Sequence, residues 1–167
     1  AKASEMEHAI RHEINVRVAE NPAFYQSLRE RLEEIIEQRR LERLDDAQQL
    51  SLLNSLREEL KGEQSQAQDI GLDGRGFAIY GLLEQHRASP LAEKAATYDV
   101  ANRDLASLID EAVEPFTDLV DWEQKEDVQR QMRSKIKRQL RAGGIDPKAT
   151  DSLAAEIVDL AKVRTER

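Results

Sequence analysis

Residues Asp121 to Pro147 read DWEQKEDVQRQMRSKIKRQLRAGGIDP, and the segment from Val128 to Gly144 carries Arg130, Arg133, Lys135, Lys137, Arg138 and Arg141 without one acidic residue. The apolar residues of the same segment are Val128, Met132, Ile136 and Leu140, a strict four-residue spacing that lays one narrow stripe along a helix. The spacing predicts an anchored helix. Asp121 is its expected N-cap, Glu123, Glu126 and Asp127 stand near the positive end of the helix dipole, and the cations crowd the negative end. Gly143 and Gly144 are expected to stop it. The whole chain has a formal net charge of -8, so this basic block is a local feature and suggests a local partner. Two readings stay open. Either the cations only complement the dipole and solubilise an exposed face, or they form a docking surface for phosphates or an acidic protein patch.

Outward from that helix, composition sets the class. A chain of 167 residues has room for one domain that buries roughly 70% of the surface its unfolded form exposes. Charged residues make up 35% and aromatics 4%, with seven glycines and four prolines, a balance that favours long amphipathic helices over a sheet. Cysteine is absent, which excludes disulfides and thiolate metal ligands. No apolar run approaches the length of a membrane span and the N-terminus is not signal-like, so a soluble, cytoplasmic protein with no membrane partner is expected. A start at Ala1 without an initiator Met fits a fragment of a longer polypeptide.

Helix signals recur along the chain. Ser4 and Glu7 form an expected capping box for a first helix reaching Glu20, with Met6, Ile10, Ile14 and Val18 as its stripe. Asn21 caps a second helix that opens on Pro22, where a missing N–H costs least, and Phe24, Leu28, Leu32, Ile35 and Ile36 carry its apolar face toward Arg43. Asp45 and Gln48 cap a third, with Leu53, Leu56 and Leu60 inward and fraying from Gln64 to Gln68. Three glycines between Gly71 and Gly76 predict a loop. A short helix follows from Phe77 to His86, broken at Ser89-Pro90. A longer one then runs from Leu91 or Thr97 to Val113, with Val100, Leu105, Leu108, Ile109 and Ala112 inward, and Pro115 interrupts it. A last helix starts at Asp146-Pro147 or Thr150 and carries Leu153, Ile157 and Leu160. The expected fold is all-α, a six- to seven-helix bundle-like domain over residues 1–167, with two subclusters, 1–68 and 77–167, joined by the loop at 71–76.

Catalytic patterns are weak. His8 and His12 stand at i and i+4, but no Glu follows the first as a zinc-protease motif requires, and two surface histidines beside Arg11 and Glu13 need no metal. Glu123-Gln124-Lys125, with Asp118 or Asp121 nearby, mimics half of a restriction-nuclease site. Such sites converge carboxylates from strands, and these residues fall at a helix start. The glycine loop lacks the Lys and Ser/Thr of a phosphate cradle. Trp122 reads as a structural anchor for the helix start rather than a base-stacking platform. No catalytic, cofactor-binding or metal-binding residue is expected in this chain.

The run Asp121-Trp122, Val128, Arg130, Met132-Arg133, Ile136-Lys137-Arg138 and Leu140 resembles the signature near the end of the restriction, or motor, subunit of type I restriction-modification enzymes. Gly71-Leu72, Phe77-Ala78, Tyr80 and Leu83 resemble the short helix before that signature, and Ser4 to Ile10 with Asn21 to Tyr25 resemble the entry into the family's C-terminal helical region. After Gly144 the family usually continues with an aromatic residue and a Pro-Pro-Asp turn, where this chain has Ile145-Asp146-Pro147. The resemblance implies a parent that is an ATP-dependent, site-specific deoxyribonuclease. ATP and Mg²⁺ would be held in its other domains, and this helical region would help assemble it with the modification (methyltransferase) and specificity subunits.

By that resemblance the fragment catalyses nothing and docks the motor domains of its parent onto the methyltransferase core, using the basic helix. A second expectation makes it a helical wall of the motor's DNA channel. Arg130, Arg133, Lys137 and Arg141, stepping by three, four and four along one face, would then neutralise backbone phosphates with a log-log salt slope of about -3.6. The acidic net charge and the lack of interleaved aromatics weigh against it. A third is a generic helical scaffold.

Overall fold

The apolar spacings are realised as helix in a computed structural model that describes residues 2–87 and 98–165, residues 98–101 as backbone only. The fold is all-α: the described residues form α1 (Lys2–Arg17), α2 (Pro22–Arg40), α3 (Asp46–Leu60), α4 (Glu63–Asp69), α5 (Gly74–Arg87), α6 (Tyr98–Thr117), α7 (Glu126–Ala142) and α8 (Pro147–Thr165), with no strand among them. The first three helices close around Ile10, Ile14, Tyr25, Leu28, Leu32, Ile35, Leu53, Leu56 and Leu60. A second core is built by α5 to α8 and includes Ile79, Leu83, Ile109, Trp122, Met132, Ile136, Leu140, Ile157 and Leu160. Within it α5 lies on α6, α6 on α7 and α7 on α8, while α2 packs on α5 and forms the seam between the cores.

Local chemistry sets the helix ends. The Asn21 side chain accepts from the Phe24 N–H at 3.3 Å, with Pro22 opening α2. At α3 the capping box is complete: Asp45 accepts from the Gln48 N–H at 2.8 Å, and the Gln48 side chain accepts from the Asp45 N–H at 2.9 Å. Helix α7 ends as its glycines require. Gly144 adopts φ 84°, and the Ile145 N–H reaches back to the Leu140 carbonyl at 3.0 Å. The same closure ends α2 without a glycine, since Glu42 stands at φ 59° and the Arg43 N–H donates to the Gln38 carbonyl.

Several expected boundaries move. The expected six or seven helices become eight among the described residues, because the polar stretch after Leu60 is not frayed: Ala67 is buried and α4 stands as its own helix. The glycine-rich loop expected at 71–76 ends at Asp73, whose carboxylate accepts from the Gly76 N–H at 2.6 Å and so turns Gly74 and Gly76 into the first turn of α5. Ser4 lies inside α1, so it caps nothing, and α1 stops at Arg17 rather than Glu20. Pro115 does not interrupt α6. It sits in the last turn, where its missing N–H costs one bond and the helix ends two residues later. Leu108, expected inward, is 50% exposed. The break at Ser89-Pro90 and the helix start at Leu91 or Thr97 lie outside the described residues, as does the Val100 side chain.

A polar seam joins the cores. The buried Tyr25 hydroxyl donates to Glu63 Oε2 at 2.6 Å, and Arg164, near the end of α8, donates to the Glu20 carbonyl at 2.7 Å and stands 3.4 Å from Glu63 Oε1. Burial, and then the hydrogen bond to Glu63, push the Tyr25 hydroxyl far above its ordinary range, so it stays a donor.

Candidate functional site

The approach to the basic helix is more tightly organised than a simple cap. Asp121 takes a left-handed conformation at φ 56° and makes no side-chain cap, and Trp122–Gln124 form a short 3-10 turn, so α7 begins only at Glu126. The expected capping role of Asp121 is therefore not realised: its backbone turns the chain instead. Trp122 is buried at 1% exposure within the second core, which leaves its ring closed to a nucleic-acid base. Gln129, buried beside Val128, donates through Nε2 to the carbonyls of Glu123 at 2.8 Å and Trp122 at 3.3 Å, clasping the 3-10 turn onto α7. Sequence reading missed this glutamine. Its only signal is its position next to the apolar stripe.

On α7 the buried stripe is the expected one, with Val128, Met132, Ile136 and Leu140 all in the core. At 100° per residue, Arg130, Arg133, Lys137 and Arg141 fall on one arc, away from that stripe. They are not equivalent there. Arg133 donates to Glu126 at 2.8 Å, and Lys137 pairs with Asp151 of α8 at 2.8 Å. Those cations hold the Glu126 and Asp151 carboxyls below their usual range, chiefly through the hydrogen bonds. Arg130 and Arg141 are exposed and make no hydrogen bond or ion pair among the described residues, and Arg138, on the neighbouring arc, is alike. Lys135 leans to the other flank, 5.4 Å from the centre of the Phe116 ring on α6. Just ahead of the 3-10 turn, Leu119 and Val120 are 48% and 77% exposed.

The other sequence candidates do not assemble into a centre. His8 and His12 are exposed on α1, and no group of three or more His, Cys, Asp or Glu able to hold a metal ion occurs among the described residues. No helix among them is long and apolar enough to cross a membrane.

The family described as type I restriction enzyme HindI endonuclease subunit-like, C-terminal, matches residues 2–166. The chain belongs to that family. It is also 27% identical over 151 residues to a candidate type I restriction enzyme MjaIXP endonuclease subunit of Methanocaldococcus jannaschii, covering 90% of this chain. The match takes in 14% of the relative's length, so the chain spans a small part of it. No solved structure gives a significant match. This member of the family is thus helical among its described residues and presents a basic ridge on α7.

Proposed function

We propose that this region is a non-catalytic assembly module, docking the ATP-dependent translocase and nuclease of its parent subunit onto the modification and specificity subunits, with the α7 ridge in the docking face. The observation that carries this is the set of three arginines, Arg130, Arg138 and Arg141, exposed and without a hydrogen bond or ion pair among the described residues, on a helix whose opposite stripe is buried. A charge in that setting adds little to folding, and its use lies with what approaches from outside. An acidic protein surface fits better than a DNA backbone, because Arg133 and Lys137 are already neutralised by Glu126 and Asp151. No aromatic residue lies within α7 for base stacking. ATP and Mg²⁺ belong, in this reading, to other domains of the parent chain.

The test titrates the chain, and the variant Arg130→Glu/Arg138→Glu/Arg141→Glu, against the methyltransferase complex and separately against nonspecific duplex DNA. The wild-type chain binds the complex, and the variant keeps its circular dichroism but loses that binding. Binding to DNA alone, with a log-log salt slope of about -2.7 for three phosphates, would instead put α7 in the DNA path. Unchanged assembly by the variant would remove α7 from the interface.

A further inference from the structure

Aromatic residues make up only 4% of this chain, yet three of them converge on one groove where the two cores meet. Phe24 of α2 packs against the first core and Phe77 and Tyr80 of α5 against the second. Phe24 meets Phe77 edge-on with centroids 6.0 Å apart, and Phe77 stacks on Tyr80 at 6.4 Å. The helices cross closely because residue 81 is glycine: a Cβ there would stand 2.7 Å from the Ala23 Cβ. Beside that crossing lies a groove of about 530 Å³, within the range of roughly 300–1,000 Å³ typical of binding clefts. Phe24, Leu28, Phe77 and Tyr80 give it an apolar lining.

Its polar edge has one sign. Arg31 is the sole cation among the lining residues, and both its terminal nitrogens are engaged by Glu59. Glu30 and Glu84 also line the groove, and neither has an ion-pair partner among the described residues. Asn21, another lining residue, is 1% exposed, and its side-chain N–H₂ has no hydrogen-bond partner among the described residues. That donor is closed to solvent, and so to anything seated in the groove. The aromatic lining and the acidic edge are complementary to an occupant with an apolar face flanked by cations.

We propose that this groove receives a basic amphipathic helix of a partner protein, apolar side chains at i, i+4 and i+7 against the aromatics and Lys or Arg against Glu30 and Glu84. A second copy of α7, the basic helix of this chain, does not fit, since its apolar stripe is already buried in its own core. The proposal uses no α7 residue and stands apart from the docking reading above, so either can fail alone.

The test uses a fluorescent helical peptide with Leu at i, i+4 and i+7 and Lys at the flanks, beside a twin with Glu in place of Lys. Both are measured by anisotropy on the folded chain. Two rim charges predict about tenfold tighter binding of the Lys peptide. Ser27→Trp, which puts a bulky ring on an exposed position of the groove lining, abolishes binding, and Glu30→Lys/Glu84→Lys inverts the preference. Equal affinity for the twins, no binding of either, or Lys-peptide binding that survives Ser27→Trp and the charge reversal would each overturn the proposal.

Discussion

The first core and helix α7 use arginine differently. Around the first core arginines stitch helix to helix: Arg11 reaches Glu33 at 2.8 Å, and Arg31 is gripped by Glu59 across α2 and α3. On α7, Arg130, Arg138 and Arg141 form no ion pair among the described residues, although Arg130 and Arg141 lie near enough to Glu126 and Asp151 to help hold those carboxyls low. Helix α7 thus turns arginine charge outward, whereas elsewhere arginine joins helix to helix, as Arg75 of α5 also does with Asp110 of α6. A basic residue marks a contact surface only once its internal partners are known, and the six cations of α7 are alike in sequence but not in structure.

The contrast breaks first if the halves are not one cooperative unit. Leu32→Ala in the first core and Ile136→Ala in the second should each cost about 2–5 kcal/mol. Trp122 reports only from the second core, so its fluorescence in urea separates the cases. With the seam intact, both substitutions lower the Trp122 midpoint; a midpoint that ignores Leu32→Ala would show two independent units.

The seam itself comes next. Tyr25→Phe removes the hydroxyl that donates to Glu63 Oε2 and should cost about 1–3 kcal/mol in urea unfolding. A loss well below that range would mean that Glu63 needs only Arg164.

A smaller effect sharpens the picture of internal charge in the second half. Burial, and then hydrogen bonding with Asp73, raise the Asp110 carboxyl to about 6, while the Arg75 guanidinium, which donates to it, opposes the rise. An acid whose folded pKa lies above its unfolded value binds its proton more tightly when folded. Its stabilising contribution is present in full below about pH 4 and is lost as pH rises through about 6. Stability measured between those limits should therefore fall with pH more steeply in the wild type than in Asp110→Asn. Parallel profiles would show that Asp110 titrates normally.

The smallest expected effect is at Glu42, exposed in the left-handed region at φ 59°. Glu42→Gly removes that strain but adds freedom to the unfolded chain, for a net gain of up to about 1 kcal/mol in the first half. A loss would mean that the Glu42 side chain makes a contribution its exposure does not reveal.

What the sequence disclosed was local. The caps at Asn21 and Asp45, the stop at Gly144 and the stripe from Val128 to Leu140 each depend on neighbours within a few residues, and each is where its spacing predicts. Asp121 misled because a left-handed residue and an N-cap draw on the same residue types. Helix α4 was hidden because its helix is supported by tertiary packing of Ala67 rather than by an apolar stripe. The ion pairs that divide the α7 cations were only half hidden. Glu126 lies seven residues from Arg133, within the same helix, whereas Asp151 lies on the next. The aromatic groove was not legible at all, since Phe24 and Phe77 meet only through the tertiary fold.

Arg164 ties the end of the described chain back to its first core. Its bond to the Glu20 carbonyl spans 144 positions, among the longest-range links in the molecule. A ribosome making this chain releases the first three helices, and Glu63 with them, long before the residue that completes their polar surroundings. Until then Glu63 has the Tyr25 hydroxyl but not Arg164, while α2 can already pack on α5. The last turn of α8 is placed as a latch across the joint, and deleting that turn should leave both cores formed while loosening the joint between them.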